Sequence, residues 1–93
     1  LISNVVEKPS IKKAPSNNAV IGRYVLPKKI FNNLKNQKKG KDGEIHITDA
    51  IQSLIFNNNK FVGHNFAGKY LDCGTLKGYI VSSNKISKLW NFV

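Results

Sequence analysis

A chain of 93 residues allows one small domain with a single modest core. At 41% hydrophobic and 22% charged residues it is no disordered polymer, and no apolar run approaches the roughly 20 residues that a membrane-spanning helix needs. The formal net charge of +10 invites a nucleic-acid partner, yet every cation except Arg23 is a lysine and the lysines are scattered, so forked contacts are confined to one residue and no nucleic-acid partner is expected.

In chain order, NVVEKP, residues 4–9, reads as a short strand stopped by Pro9, which removes a backbone donor and pushes Lys8 toward an extended conformation. SIKKAPSNN is a polar loop. AVIGRYVL, Ala19 to Leu26, is a near-continuous apolar run of the kind covered on both faces of an α/β sheet, and Gly22 within it marks a bulge or a close approach of ligand or backbone. Pro27 then opens PKKIFNNLKNQ, where Ile30, Phe31 and Leu34 fall on one helical face. KKGKDG has turn chemistry.

EIHITDAIQSLI begins extended and is expected to become helical near Asp49. Asp49 and Gln52 have capping-box spacing, and Ile51, Leu54 and Ile55 form the stripe to be buried. KFVGHNFAGKYLD alternates like one or two strands, and Cys73-Gly74-Thr75 turns the chain into a last helix with Leu76, Ile80, Ser83, Ile86 or Ser87, and Trp90 along one side. The predicted order is β, β, α, α, β, α, an α/β fold with a partial mixed sheet and flanking helices. Its exposed sheet edges should favour self-association, so a homo-oligomer is an expectation.

Leu1 opens the chain and no Met occurs, so the sequence is expected to be a piece of a longer or processed protein. LISNVVEKPS lacks the basic region and apolar core of a signal peptide, and a lone Cys73 makes no intrachain disulfide. A reducing, cytoplasmic setting without a membrane partner is the expectation.

Three blocks can carry chemistry: Glu7-Lys8-Pro9, the glycine-bearing run around Gly22, and GKYLDCGT with Asp72 at a predicted strand-to-helix turn. Singly they are a solvated rim pair, a glycine relieving crowding, and an Asp capping a helix. Together they sit near the carboxyl ends of predicted strands, where open α/β sheets place ligands. A carboxylate that accepts from sugar hydroxyls, an ammonium that meets phosphate as a point charge, and a second carboxylate that holds Mg²⁺ would make a sugar-phosphate site. Elsewhere, His46 and His64 are isolated from any acid, nucleophile or metal spacing, Cys73 reads as a small core thiol, and Asp49 as a helix cap. Tyr24, Tyr70 and Trp90 read as packing residues.

The blocks VVEKP, APSNNAVIGRYVL, GEIHITDAI and GKYLDCGTLKGY, in this order from Val5 to Tyr79, resemble the C-terminal half of the bacterial sugar-nucleotide pyrophosphorylases, most closely the UTP:glucose-1-phosphate uridylyltransferases. The resemblance implies that residues 1–93 are the C-terminal, sugar-phosphate-binding portion of a Rossmann-like nucleotidyltransferase domain. It implies a reaction in which the phosphate of glucose 1-phosphate attacks the α-phosphorus of UTP, with Mg²⁺ assisting, pyrophosphate leaving and UDP-glucose forming. By position it implies Glu7 on the sugar hydroxyls, Lys8 on the sugar phosphate as the catalytic residue, and Val20 lining the sugar pocket beside the Gly22 backbone. Asp72 becomes one of two carboxylates on Mg²⁺, with Asp49 in a supporting place near the site.

The family's other metal carboxylate and its glycine-rich triphosphate loop belong to its N-terminal half and have no counterpart here, so the 93 residues alone are expected to be inactive. The closing SSNKISKLWNFV is expected either to stop early or to diverge from the family pattern, which leaves open any oligomer contacts that the family builds from its C-terminal helices. A related transferase with another sugar or nucleotide and a stand-alone basic module that binds polynucleotides with steep salt dependence are the alternatives.

Overall fold

The computed structural model describes residues 1–91, and among them a short 3-10 turn at Ile11–Lys13 is followed by three α-helices: α1 (Ile30–Asn36), α2 (Ile47–Phe56) and α3 (Leu76–Leu89). Phe92 and Val93 lie outside the described residues.

Proline sets the entry to α1. The Ile30 N–H donates to the Pro27 carbonyl at 2.9 Å, a turn in which the fixed φ of proline and its missing donor cost nothing. Ile30 is buried and Leu34 half-buried, whereas Phe31 is exposed, so the buried face of α1 is narrower than the apolar spacing suggested. α2 starts at Ile47, with His46 at its N-cap and Asp49 in its first turn. The expected capping box therefore does not form. Asp49 still faces the positive end of the helix dipole, and Gln52 bonds elsewhere. Asn57 closes α2 by donating from its N–H to the Ser53 carbonyl at 3.1 Å, and Asn58 takes a φ of 61°, which Asn tolerates better than most residues.

The core lies between the first two helices and the N-terminal segment. Ala50, Ile51 and Leu54 of α2 cluster with Ile30 and Val5, and Ile2, Leu26, Leu34, Ile47, Ile55 and Phe61 pack around them. Ala50 is the most deeply buried, at 0% exposure. At about 1.5–3 kcal/mol for each fully buried Val, Leu or Ile side chain, this small cluster is the main source of stability.

No sheet is present among the described residues, which overturns the expected α/β architecture with its partial mixed sheet. The one sheet-like contact is an isolated antiparallel bridge between Ile2 and Phe61, with the Ile2 N–H donating to the Phe61 carbonyl at 2.8 Å. Residues 4–9, 19–26 and 62–72 form no strand. The physical reason is that a strand belongs to a pair: ladder bonds need a neighbour about 4.8 Å away, whereas an apolar run only records side chains that need burial. That need is unmet within the chain, since Val25 is 101% exposed and Val62 80%.

α3 stands apart. Thr75 caps it, its Oγ1 accepting from the Gly78 N–H at 3.0 Å, and Ser82 Oγ donates to the Asp72 carbonyl at 3.3 Å. Gly78 is required by close approach, because a β-carbon there would sit 2.4 Å from the Asp72 carbonyl oxygen. Only Ser82 is buried, Ile86 and Ser87 are half-buried, and Leu76, Ile80 and Trp90 are exposed, so the expected stripe is uncovered. Helical spacing says which residues share a face and not whether anything covers it. α3 packs on neither α1 nor α2. The radius of gyration, 16.4 Å, exceeds the roughly 13 Å of a compact domain of about 100 residues.

Candidate functional site

α2 holds the N-terminal segment at two points. The Val5 N–H donates to Gln52 Oε1 at 2.6 Å, and Thr48 Oγ1 donates to Glu7 Oε2 at 2.5 Å. Thr48 and Gln52 are one helical turn apart, so they lie on the same side of α2. Beyond this grip the backbone bends: Lys8, exposed, has a φ of 40°, in the left-handed region that non-glycine residues rarely adopt. Strand neighbours point to opposite faces, so this bend removes the geometric objection to Glu7 and Lys8 serving one ligand.

Val20 is exposed, and Gly22 has a φ of 82° with nothing within 4 Å of where a β-carbon would stand. Conformation, and not crowding, is what requires glycine at this position. The residues around it leave its backbone open to solvent.

Asp72 closes a tight turn. Its Oδ1 accepts the Gly74 N–H at 2.8 Å, and Thr75 rather than Asp72 caps α3. The neighbouring Cys73 is exposed, which corrects its assignment as a core thiol. Tyr24 and Tyr70 are likewise exposed and do not pack as expected, and Trp90 is exposed.

His46 is not isolated. Its Nε2 lies 2.6 Å from Asp42 Oδ2, and the Glu44 N–H donates to Asp42 Oδ1 at 3.0 Å. The bond to Asp42 raises the His46 pKa above its ordinary 6.5. The Asp42 carboxyl is held below its ordinary 3.8, first by the Glu44 backbone N–H and then by His46. Ligating atoms of Asp42, Glu44 and His46 all fall within 4.8 Å of one another. The alternation Asp-Gly-Glu-Ile-His was the overlooked signal, since a turn that returns on itself can gather alternate residues. Thr48 and Gln52 were also missed as partners of Val5 and Glu7; their helical spacing was visible, but the segment facing them was not.

Among the described residues no hydrogen bond or ion pair joins Glu7 or Lys8 to Asp72. Two surface depressions, one beside Val25, Phe61 and Val62 and the other beside Asn33, Gln37 and Ser53, are lined by none of Glu7, Lys8, Val20, Gly22 and Asp72. The chain thus presents a positioned carboxylate, an exposed ammonium, an open glycine turn and a second carboxylate on an open surface.

Comparison with known proteins gives the class: the family model for nucleotidyl transferases matches residues 1–88, so the chain belongs to the nucleotidyl transferase family. Within it, the chain is 42% identical over 83 residues to a UTP--glucose-1-phosphate uridylyltransferase of Pseudomonas aeruginosa, covering 89% of this chain and 29% of that protein. A protein of the same name from Bacillus subtilis is 44% identical over 82 residues, covering 88% of this chain and 28% of its own length. Among solved structures, a UDP-glucose pyrophosphorylase complexed with UDP-glucose matches with a TM-score of 0.84 and 46% identity, over 94% of this chain and 33% of that one. The chain therefore spans less than a third of the length of the curated relatives named here.

Proposed function

We propose that residues 1–93 are the C-terminal, sugar-phosphate-binding portion of a UTP:glucose-1-phosphate uridylyltransferase, which forms UDP-glucose and pyrophosphate from UTP and glucose 1-phosphate. The observation that supports this is the close backbone match to a pyrophosphorylase complexed with UDP-glucose, at 46% identity over 94% of this chain.

In this function Glu7 orients the sugar. Thr48 occupies one of its oxygens, which leaves the other to accept from a sugar hydroxyl. Lys8 meets the phosphate of glucose 1-phosphate as a point charge and steadies the oxygen that attacks the α-phosphorus of UTP; one P–O bond forms as the bond to pyrophosphate breaks. Val20 lines the sugar pocket and the Gly22 backbone approaches the ligand.

Asp72 fits a place on Mg²⁺, since that ion commonly takes one or two carboxylates and completes its shell with phosphates and water. Mg²⁺, when bound, would neutralise charge on the reacting phosphates. The Asp42, Glu44 and His46 group fits it poorly, because an imidazole nitrogen is a softer donor than this ion prefers.

The test is UDP-glucose formation by the full polypeptide that carries these residues, with UTP, glucose 1-phosphate and Mg²⁺. Lys8→Ala is expected to lower kcat/KM about a hundredfold, the usual cost of one preorganised charge at a transferring phosphoryl group. Unchanged turnover and affinity would remove Lys8 from the site.

A further inference from the structure

From the grip of α2 on the N-terminal segment, we infer that Thr48 is a positioning residue that sets the sugar-facing carboxylate of Glu7, with Gln52 fixing the backbone two residues before it. This rests on the function proposed above and adds a residue that acts only through another.

Glu7 is an acid with three rotatable side-chain bonds on a segment that belongs to no regular element, so nothing in its own backbone fixes where its oxygens point. Three features supply what is missing. Thr48 Oγ1 donates to Oε2, and the threonine is β-branched and sits in the first turn of a helix, so its hydroxyl has few rotamers to choose from. Gln52, one turn along, accepts from the Val5 N–H at 2.6 Å, which pins the chain on the near side of Glu7. The helix itself is the most deeply anchored in the molecule, with Ala50, Ile51 and Leu54 buried between the two polar teeth and on their flank. A carboxylate held at one oxygen by a buried scaffold presents the second in a single direction, which is what selective acceptance from one sugar hydroxyl demands.

The experiment compares Thr48→Val, which keeps shape and deletes the hydroxyl, with Thr48→Ser, which keeps the hydroxyl, in the full polypeptide. Thr48→Val is expected to raise KM for glucose 1-phosphate about tenfold, with kcat and KM for UTP within about twofold of wild type. Thr48→Ser is expected to stay within about twofold throughout. Selective ¹³C labelling of glutamate carboxyls gives a readout independent of turnover: the Glu7 signal should shift in Thr48→Val and hold in Thr48→Ser. An unmoved Glu7 signal in Thr48→Val, or a KM unaffected by that change in an active enzyme, overturns the inference. Absence of any glucose 1-phosphate activity in wild type would instead overturn the function proposed above, and the carboxyl signal would still decide on Thr48.

Discussion

The pairing of His46 with Asp42 makes the turn before α2 sensitive to pH. The folded pKa of His46 lies above its ordinary 6.5, so its stabilisation is complete below 6.5 and fades as pH rises through the raised value. Asp42 is the reverse: its folded pKa lies below 3.8, so its share is complete above 3.8 and fades on acidification through the lowered value. Both contributions coexist between these limits. Protection from amide exchange over residues 40–46, relative to the intrinsic rate, is therefore expected to be greatest between pH 3.8 and 6.5 and to fall as pH rises through the raised His46 value, while His46→Gln removes that fall. Identical corrected profiles for the two proteins would show that the pair does not hold the turn. Glu7, Lys8 and Asp72 were each legible as residue types able to meet sugar, phosphate and metal. The hydroxyl that holds Glu7 was not, because Thr48 lies 41 positions away and only folding brings it near.

Helices α1 and α2 stand or fall together, since they share the core, whereas α3 depends on its own ends. Leu54→Ala is expected to cost about 3 kcal/mol in chemical denaturation, as for a well-packed leucine, and to loosen α1 and α2 alike. Thr75→Ala should cost about 1 kcal/mol and fray only the first turn of α3, read as faster amide exchange there with α2 unchanged. Gly78→Ala tests the close approach to Asp72. In an ordinary helix that change would stabilise by about 1 kcal/mol, but here it forces the Asp72 carbonyl aside and should destabilise the turn that carries the proposed metal carboxylate. A stabilised Gly78→Ala protein would show that the Asp72 carbonyl yields without cost. The helices were readable from their spacing and their flanking Pro27 and Asn57 to Asn59, because those signals act within a few residues. The cap of α2 was misplaced because Asp49 suits both a cap and a first turn.

Across the chain as a whole, apolar side chains outnumber the neighbours available to cover them. Val25, Val62 and Leu76 are all exposed, and the dimensions of 50 × 30 × 29 Å are elongated for so short a chain. Taken by itself, the 93-residue chain is expected to bind an apolar dye such as ANS and to associate with rising concentration in sedimentation runs. A monomer without dye binding at about 100 μM would contradict this, since patches beyond a few hundred Å² seldom stay unpartnered on a soluble monomer. The same chain is expected to show no turnover with UTP and glucose 1-phosphate.

The amino-acid order alone settled the helices, the apolar segments, the residue types at the candidate site and a resemblance that the family match bears out. These follow from local spacing and from motifs that survive without coordinates. Folding alone revealed that no sheet forms among the described residues, that α3 is uncovered, that His46 has an acid partner and that Thr48 holds Glu7. Except for the His46 pair, whose acid is only four residues away and whose alternation was visible, these depend on which distant atoms come within hydrogen-bond or packing distance, and a linear pattern does not encode that separation.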